Sequence, residues 1–271
     1  MPEGDTAWLV SSRLHSVLAG QTITTCDLRV PSAARASLVG ATIINVTPAG
    51  KHILLRAQFS TPHTGPGAAA PTADWTLHSH LRMDGAWHLY RSGSRWRGGP
   101  SHWIRAVVGT HDWTAVGYRL GMLDLLPTAG EATVVGHLGP DPLTADYDAA
   151  TARSNVAAVP QRSVGEALLD QRNVAGFGTN FVAEACFVAG VSPLTPVADG
   201  VGDQVLAVAE RMIAANRGRA IRVTTGRTRP GEVSWVHGRR TCLRCGGVLA
   251  RAQVGEPTAR RSLAWCPHCQ A

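Results

Sequence analysis

Apolar residues recur at helical spacing from Ala7 to Ala19, where Trp8, Leu9, Leu14, Val17 and Leu18 form a stripe that Gly20 ends. The pattern then shortens. Seven β-prone runs follow, at Ile23–Leu28, Thr42–Val46, His52–Arg56, Trp75–His80, Ala86–Tyr90, Trp103–Val108 and Trp113–Tyr118. Their Gly- and Pro-bearing turns predict a two-layer β structure. Thr61–Ala73, rich in Pro, Gly and Ala, reads as a flexible insertion between strands. Past Leu126 the period lengthens again: Pro127–Pro142 is a connector, and helical periods occupy roughly Ala145–Val159, Val164–Asp170, Asn180–Val188 and Val201–Arg217. Between the second and third of these lies Asn173-Val174-Ala175-Gly176-Phe177-Gly178-Thr179-Asn180. A glycine-bearing turn that feeds a helix has free backbone N–H groups suited to a phosphate. A Gly-x-Gly more often marks tight packing, and without a phosphate-loop lysine it gives no support for nucleotide hydrolysis.

A chain of 271 residues buries a proper core and has room for two domains. No run of eighteen apolar residues occurs, which argues against a membrane-spanning helix. The polar, acidic start lacks the basic and apolar regions of a signal peptide, so a cytoplasmic protein is expected. The net charge of +7 is unevenly spread: Arg211 to Arg261 holds twelve arginines against Glu232 and Glu256, which is +10, and leaves −3 for the remainder. That density reads as a phosphate-binding surface, with a merely solvated basic face as the plainer alternative.

Cys242-Leu243-Arg244-Cys245 and Cys266-Pro267-His268-Cys269 stand twenty residues apart. Two CxxC pairs at this spacing suit tetrahedral Zn²⁺ held by four thiolates, a closed shell with no position open for catalysis. A disulfide framework is the alternative, and the absence of a signal peptide counts against it. Cys26 and Cys186 are then buried free thiols. His78 and His80 alternate along a strand without a third ligand at compatible spacing, and are read as structural.

Two amines stand out. Lys51 is the only lysine among 26 basic side chains, placed where a Pro48-Ala49-Gly50 turn meets an apolar strand. Unlike arginine, a lysine amine can be desolvated and lose its proton, although a surviving surface charge is the plainer account. Pro2 follows the initiator Met1, whose removal would expose a secondary amine. An α-amino group titrates near pKa ~8, so part of it is a nucleophile at neutral pH, and Glu3 beside it is a candidate proton donor or acceptor. An ordinary flexible terminus is the alternative.

Pro2-Glu3-Gly4, Gly50-Lys51-His52, His80-Leu81-Arg82-Met83-Asp84-Gly85, Gln171-Arg172-Asn173-Val174-Ala175-Gly176-Phe177-Gly178 and Arg261-Ser262-Leu263-Ala264-Trp265-Cys266-Pro267-His268-Cys269-Gln270 occur in an order and spacing that span the chain. Together they resemble the formamidopyrimidine-DNA glycosylase/endonuclease VIII family, and within it actinobacterial endonuclease VIII-like proteins. The resemblance implies an α+β, two-lobed fold: an N-terminal β-sandwich with a flanking helix over residues 1–126, a linker over 127–142, a helix-two-turn-helix domain over 143–225 and a zinc β-hairpin over 226–271. It implies a monomer that binds DNA containing oxidised bases or abasic sites and has no membrane partner. Pro2 would attack C1′ of a flipped-out nucleotide and form a Schiff base. Glu3 would protonate the sugar, Lys51 would support the lesion, and β,δ-elimination would cut the strand. Arg261, Thr179 and Asn180 would contact phosphates, and Met83 would fill the gap in the duplex; a buried strand methionine is the alternative for Met83.

Departures from the family pattern bear on substrate. Tyr118 and Leu120 stand where the formamidopyrimidine branch has gap-filling arginine and phenylalanine, and the segment from Ile221 to Cys242 is short and lacks the loop that caps oxidised guanine. Both favour oxidised pyrimidines. Thr179 stands where asparagine is usual, with Asn180 one place later, and Asp5 and Thr6 alter the surroundings of Glu3. Two non-catalytic readings remain open: a paralogue that binds abasic DNA without cutting it, and a zinc-hairpin protein that binds undamaged nucleic acid.

Overall fold

The computed structural model describes residues 2–63, 72–255 and 260–270. The chain divides into two compact units, Thr6–His137 with the first residues, and Glu3–Asp5 with Leu138 onward.

In the first unit, α1 (Gly4–Leu18) leads into β1 (Thr25–Leu28), β2 (Thr42–Ala49), β3 (His52–His63), β4 (Thr72–His80), β5 (Ala86–Arg91), β6 (Ile104–Gly109), β7 (Trp113–Tyr118) and β8 (Met122–Pro127). They form two antiparallel four-stranded sheets, ordered β1-β6-β7-β5 and β2-β3-β4-β8. Period-two alternation explains the layering. Ile53, Leu55 and Ala57 of β3 and Trp75 and Leu77 of β4 share one buried core with Leu28, Ala106, Val108 and Ala115 of the other sheet, closed by Leu14 and Leu18 of α1. β8 is absent from the sequence expectation because its run, Met-Leu-Asp-Leu-Leu-Pro, is too uniformly apolar to alternate. The predicted insertion at Thr61–Ala73 falls mainly on residues 64–71, outside the described residues; at its flanks β3 and β4 continue.

The intervening residues of the second sheet face outward and are polar to an unusual degree. His52, Leu54 and Arg56 of β3 lie in register with His80, His78 and Thr76 of β4, which face Met122, Asp124 and Leu126 of β8. After β8 the chain forms a 3-10 turn at Thr128–Gly130 and α2 (Ala132–Val135). Glu131 reaches the outer face, accepting from Arg56 Nε and Nη2 at 2.6 Å each and from Thr76 Oγ1.

The second unit holds α3 (Ala149–Ala157), α4 (Val164–Leu169), α5 (Thr179–Ala189), α6 (Val201–Asn216) and the hairpin β9 (Ala250–Val254) and β10 (Arg261–Trp265). Asp148 and Ser163 cap α3 and α4 by accepting from backbone N–H groups in the first turn. α5 is apolar nearly all round, with Phe181, Val182, Ala183, Ala185, Cys186 and Phe187 fully buried, as a central helix must be. Its C-terminus turns on Gly190 at φ 74°. Leu263 of β10 is also fully buried, and a Cβ on Gly165 of α4 would meet its side chain at 2.7 Å, so this glycine lets helix and hairpin close.

Candidate active site and nucleic-acid interface

Glu3 is completely buried, and the chemistry of its surroundings is specific. Its carboxylate accepts from the backbone N–H of Gly178 at 2.9 Å, of Asn180 at 2.9 Å and of Phe181 at 3.4 Å. These are among the orphan donors at the start of α5, so an N-terminal carboxylate caps an internal helix and sits at the positive end of its dipole. Gly4 N donates to Gly176 O at 2.9 Å, and a Cβ on Gly4 would lie 2.9 Å from the Gly176 Cα. Gly176 itself has φ 93°. The Glu-Gly and Gly-x-Gly motifs, far apart in sequence, are thus two halves of one close backbone approach.

This changes one expectation. The N–H groups thought free for a phosphate at α5 are held by Glu3; any phosphate contact by Thr179 or Asn180 falls to their half-buried side chains.

Asp5 is nearly buried and accepts from Arg222 Nε at 2.8 Å and from its Nη2, while an Arg222 Nη1 lies 3.8 Å from Glu3 and the guanidinium packs 4.6 Å above the Phe181 ring. Such bidentate pairing is the geometry arginine favours. Desolvation works against the Arg222 charge, but Asp5 and Glu3 outweigh it and raise its pKa. Asp5 is therefore part of the machinery that holds Glu3's neighbourhood.

Glu184 is a second fully buried carboxylate, which the sequence expectation missed. It accepts from the N–H groups of Trp235, Val236 and His237 at 2.7, 2.8 and 2.7 Å and from the Thr224 hydroxyl, and so fastens the irregular segment before the cysteines to α5. Its signal was visible: one acid inside an otherwise apolar helix.

The four cysteines Cys242, Cys245, Cys266 and Cys269 bring their sulfurs within 4.8 Å of one another. Cys242–Cys269 and Cys245–Cys266 are 4.0 and 3.6 Å apart, too far for disulfides at about 2.05 Å. They approach the ~3.8 Å edge of a tetrahedron with metal–sulfur bonds of about 2.3 Å. The donor set fits a metal ion. Gln270 braces the cluster: its Oε1 accepts from Cys266 N at 2.8 Å, and its Nε2 donates to Val191 O at 2.7 Å. Arg261, exposed at the first position of β10, opens the strand that ends at this cluster. Cys186 is fully buried, its thiol pushed up to about 12 by desolvation, whereas Cys26 is only half-buried, contrary to expectation.

In the first unit, Gly50 (φ 56°) and Lys51 form the two-residue turn joining β2 to β3, so Lys51 precedes the strand it was expected to open. Pro2 is half-buried. Met83 is 65% exposed in the turn between β4 and β5, which excludes the buried-strand alternative. Beside it Arg82 has φ 54°, and Gly121 N donates to His80 O at 3.0 Å, joining this turn to the one after β7. There Tyr118 and Leu120 are buried and point into the lobe, while Arg119, between them, is exposed at φ 48° with its guanidinium 3.2 Å above the Trp103 ring.

The comparisons with known proteins agree with one another. Residues 1–119 match the formamidopyrimidine-DNA glycosylase N-terminal domain, and residues 138–230 the formamidopyrimidine-DNA glycosylase H2TH domain. A protein of Streptomyces coelicolor named probable endonuclease 8 2 is 47% identical over 100% of this chain and 94% of its own length. The DNA-(apurinic or apyrimidinic site) lyase Nei2 of Mycolicibacterium smegmatis is 40% identical over 100% of this chain and 99% of its own. Among solved structures, the Lactococcus lactis formamidopyrimidine-DNA glycosylase non-covalently bound to DNA with an abasic site shares the fold at TM-score 0.72 and 20% identity, over 99% of both chains.

Proposed function

We propose that this chain, which belongs to the formamidopyrimidine-DNA glycosylase family, is a bifunctional DNA glycosylase and abasic-site lyase that removes oxidised bases, pyrimidines before purines, and acts in the bacterial cytosol on DNA as a monomer. The observation that carries the site assignment is the caged Glu3 carboxylate. Three backbone donors fix a carboxylate one residue from the Pro2 amine, and a proton-transfer group must be held in place to act.

In this mechanism a flipped nucleotide presents C1′ to the Pro2 amine; the C1′–N bond breaks, the base leaves with its electron pair and a proton, and the iminium at C1′ remains. Glu3 exchanges protons at the sugar ring oxygen. Loss of the C2′ proton then expels the 3′ phosphate, and a second elimination expels the 5′ phosphate. Lys51 and Arg261 hold the flanking phosphates, with Thr179 and Asn180 contributing side-chain donors. Met83 fills the duplex gap alone, since Tyr118 and Leu120 are buried. Zinc is the ion we assign to the four cysteines; when bound it cross-links the hairpin and takes no part in bond breaking.

Borohydride reduction in the presence of an oligonucleotide with one abasic site tests this directly. Covalent capture is expected for the methionine-free protein and is lost in Pro2→Gly or after N-terminal acetylation. DNA binding without capture would overturn the lyase assignment in favour of a non-cutting abasic-site binder.

A further inference from the structure

The outward face of the second sheet carries four histidines around Lys51 that the proposed mechanism leaves unused. Asp124, 44% exposed, lies 3.0 Å from Nδ1 of His78, which is itself completely buried; His78 Nε2 lies 2.7 Å from Nδ1 of His52. His52 stacks on His78 with centroids 5.0 Å apart and meets the edges of His80 and His137 at 4.8 and 6.2 Å. All belong to the first unit.

Hydrogen-bond chemistry orders these rings. A carboxylate only accepts, so His78 carries its proton on Nδ1 and, as a neutral imidazole, offers a lone pair at Nε2. His52 must then donate from Nδ1, which leaves its own Nε2 bare. His80 is set the opposite way: its Nδ1 accepts from Arg82 N at 2.9 Å, so its proton sits on Nε2. The neutral state this requires fits the surroundings. Burial first, then His80, His78, His137 and Lys51, drive His52 down to about 3; burial, Lys51, Arg82 and His78 drive His80 down to about 4.

We propose that Asp124–His78–His52 is a tautomer-setting relay whose end, the bare Nε2 of His52, orients the Lys51 ammonium as an uncharged acceptor. A carboxylate in that place would orient Lys51 equally well but would also cancel the charge it brings to the DNA. An imidazole lone pair orients without neutralising. His52 is thus a positioning residue, and the inference rests on the role proposed above for Lys51.

Nitrogen NMR of the ¹⁵N-histidine-labelled full chain reads the tautomers. Protonated Nδ1 and bare Nε2 are expected at His52, and the reverse would overturn the relay. In single-turnover excision of an oxidised pyrimidine, His52→Phe keeps a ring but loses the acceptor and should slow the step about tenfold, the worth of one hydrogen bond to a charged group. His52→Gln, with an amide oxygen as acceptor, should recover most of that rate, and neither variant should change cutting at a preformed abasic site more than about twofold on the same energy scale. Combined with Lys51→Arg, His52→Phe should add nothing. Undiminished excision by Lys51→Arg would sink the role of Lys51; a Lys51→Arg defect beside a normal His52→Phe would sink the relay alone.

Discussion

A Cβ on Gly178 would come within 2.6 Å of Cδ of Glu3, so the carboxylate at the start of the chain occupies the space that any other residue at position 178 would fill. The glycine, at φ −129°, is needed for room and not for its backbone conformation. Gly178→Ala should therefore displace Glu3 from the amides of Asn180 and Phe181. Loss of excision and of abasic-site cleavage by at least about tenfold is expected, with a stability cost of about 1–3 kcal/mol from the unsatisfied donors. Parallel urea titration and single-turnover kinetics check this; wild-type rates in Gly178→Ala would mean that Glu3 need not sit where it does.

Glu184 gives a purely structural counterpart. Four donors converge on it, three of them backbone N–H groups of Trp235, Val236 and His237. Glu184→Gln turns one acceptor into a donor facing donors, and should cost about 3 kcal/mol or more. Because the anchored segment leads into Cys242, the variant should also release metal to a chelator faster than wild type. Unchanged unfolding midpoint and unchanged metal release would refute the anchoring role.

The histidine cluster sets a pH dependence. His52 and His80 are neutral in the folded protein down to about 3 and about 4, whereas free in the unfolded chain they titrate near ~6.5. Between those values the unfolded state binds more protons, so stability contributed by the neutral cluster is complete above about pH 7 and is lost progressively as pH falls through ~6.5 toward ~3. The unfolding midpoint in urea should drop between pH 7.5 and 5, and His52→Asn combined with His80→Asn should flatten that slope. An identical slope in the double variant would assign acid sensitivity elsewhere.

What the sequence disclosed follows from how local each signal is. The alternation that made β3 and β4 legible is a two-residue pattern, and the CxxC pairs declare their chemistry by spacing alone. The cage of Glu3 is different: Gly178 and Glu3 are 175 positions apart, and nothing in a Gly-x-Gly says whether its amides will meet a phosphate or the chain's own carboxylate. Asp5 and Arg222 pair across a similar distance. The histidines were seen in alternation, but the partner that organises them, Asp124, lies on β8, whose apolar run concealed a strand. Only the register of three strands brings Asp124, His78 and His52 into line.

Met83 combines features with no stabilising use: it is 65% exposed, apolar, and placed in a turn whose neighbour Arg82 has a left-handed backbone at φ 54°. Removing its side chain leaves no cavity, so Met83→Ala should change stability by no more than about 0.5 kcal/mol, as for other surface truncations. If the side chain fills the gap left by a flipped nucleotide, its worth appears only where there is a stack to fill. Excision from duplex DNA should fall several-fold in Met83→Ala, whereas the same lesion in a single strand, which has little stacking to replace, should be processed nearly as before. Duplex and single-stranded oligonucleotides carrying one oxidised pyrimidine, compared at saturating enzyme, make the distinction. Equal losses on both would assign Met83 to general DNA contact, and no loss on either would remove the wedge from the mechanism.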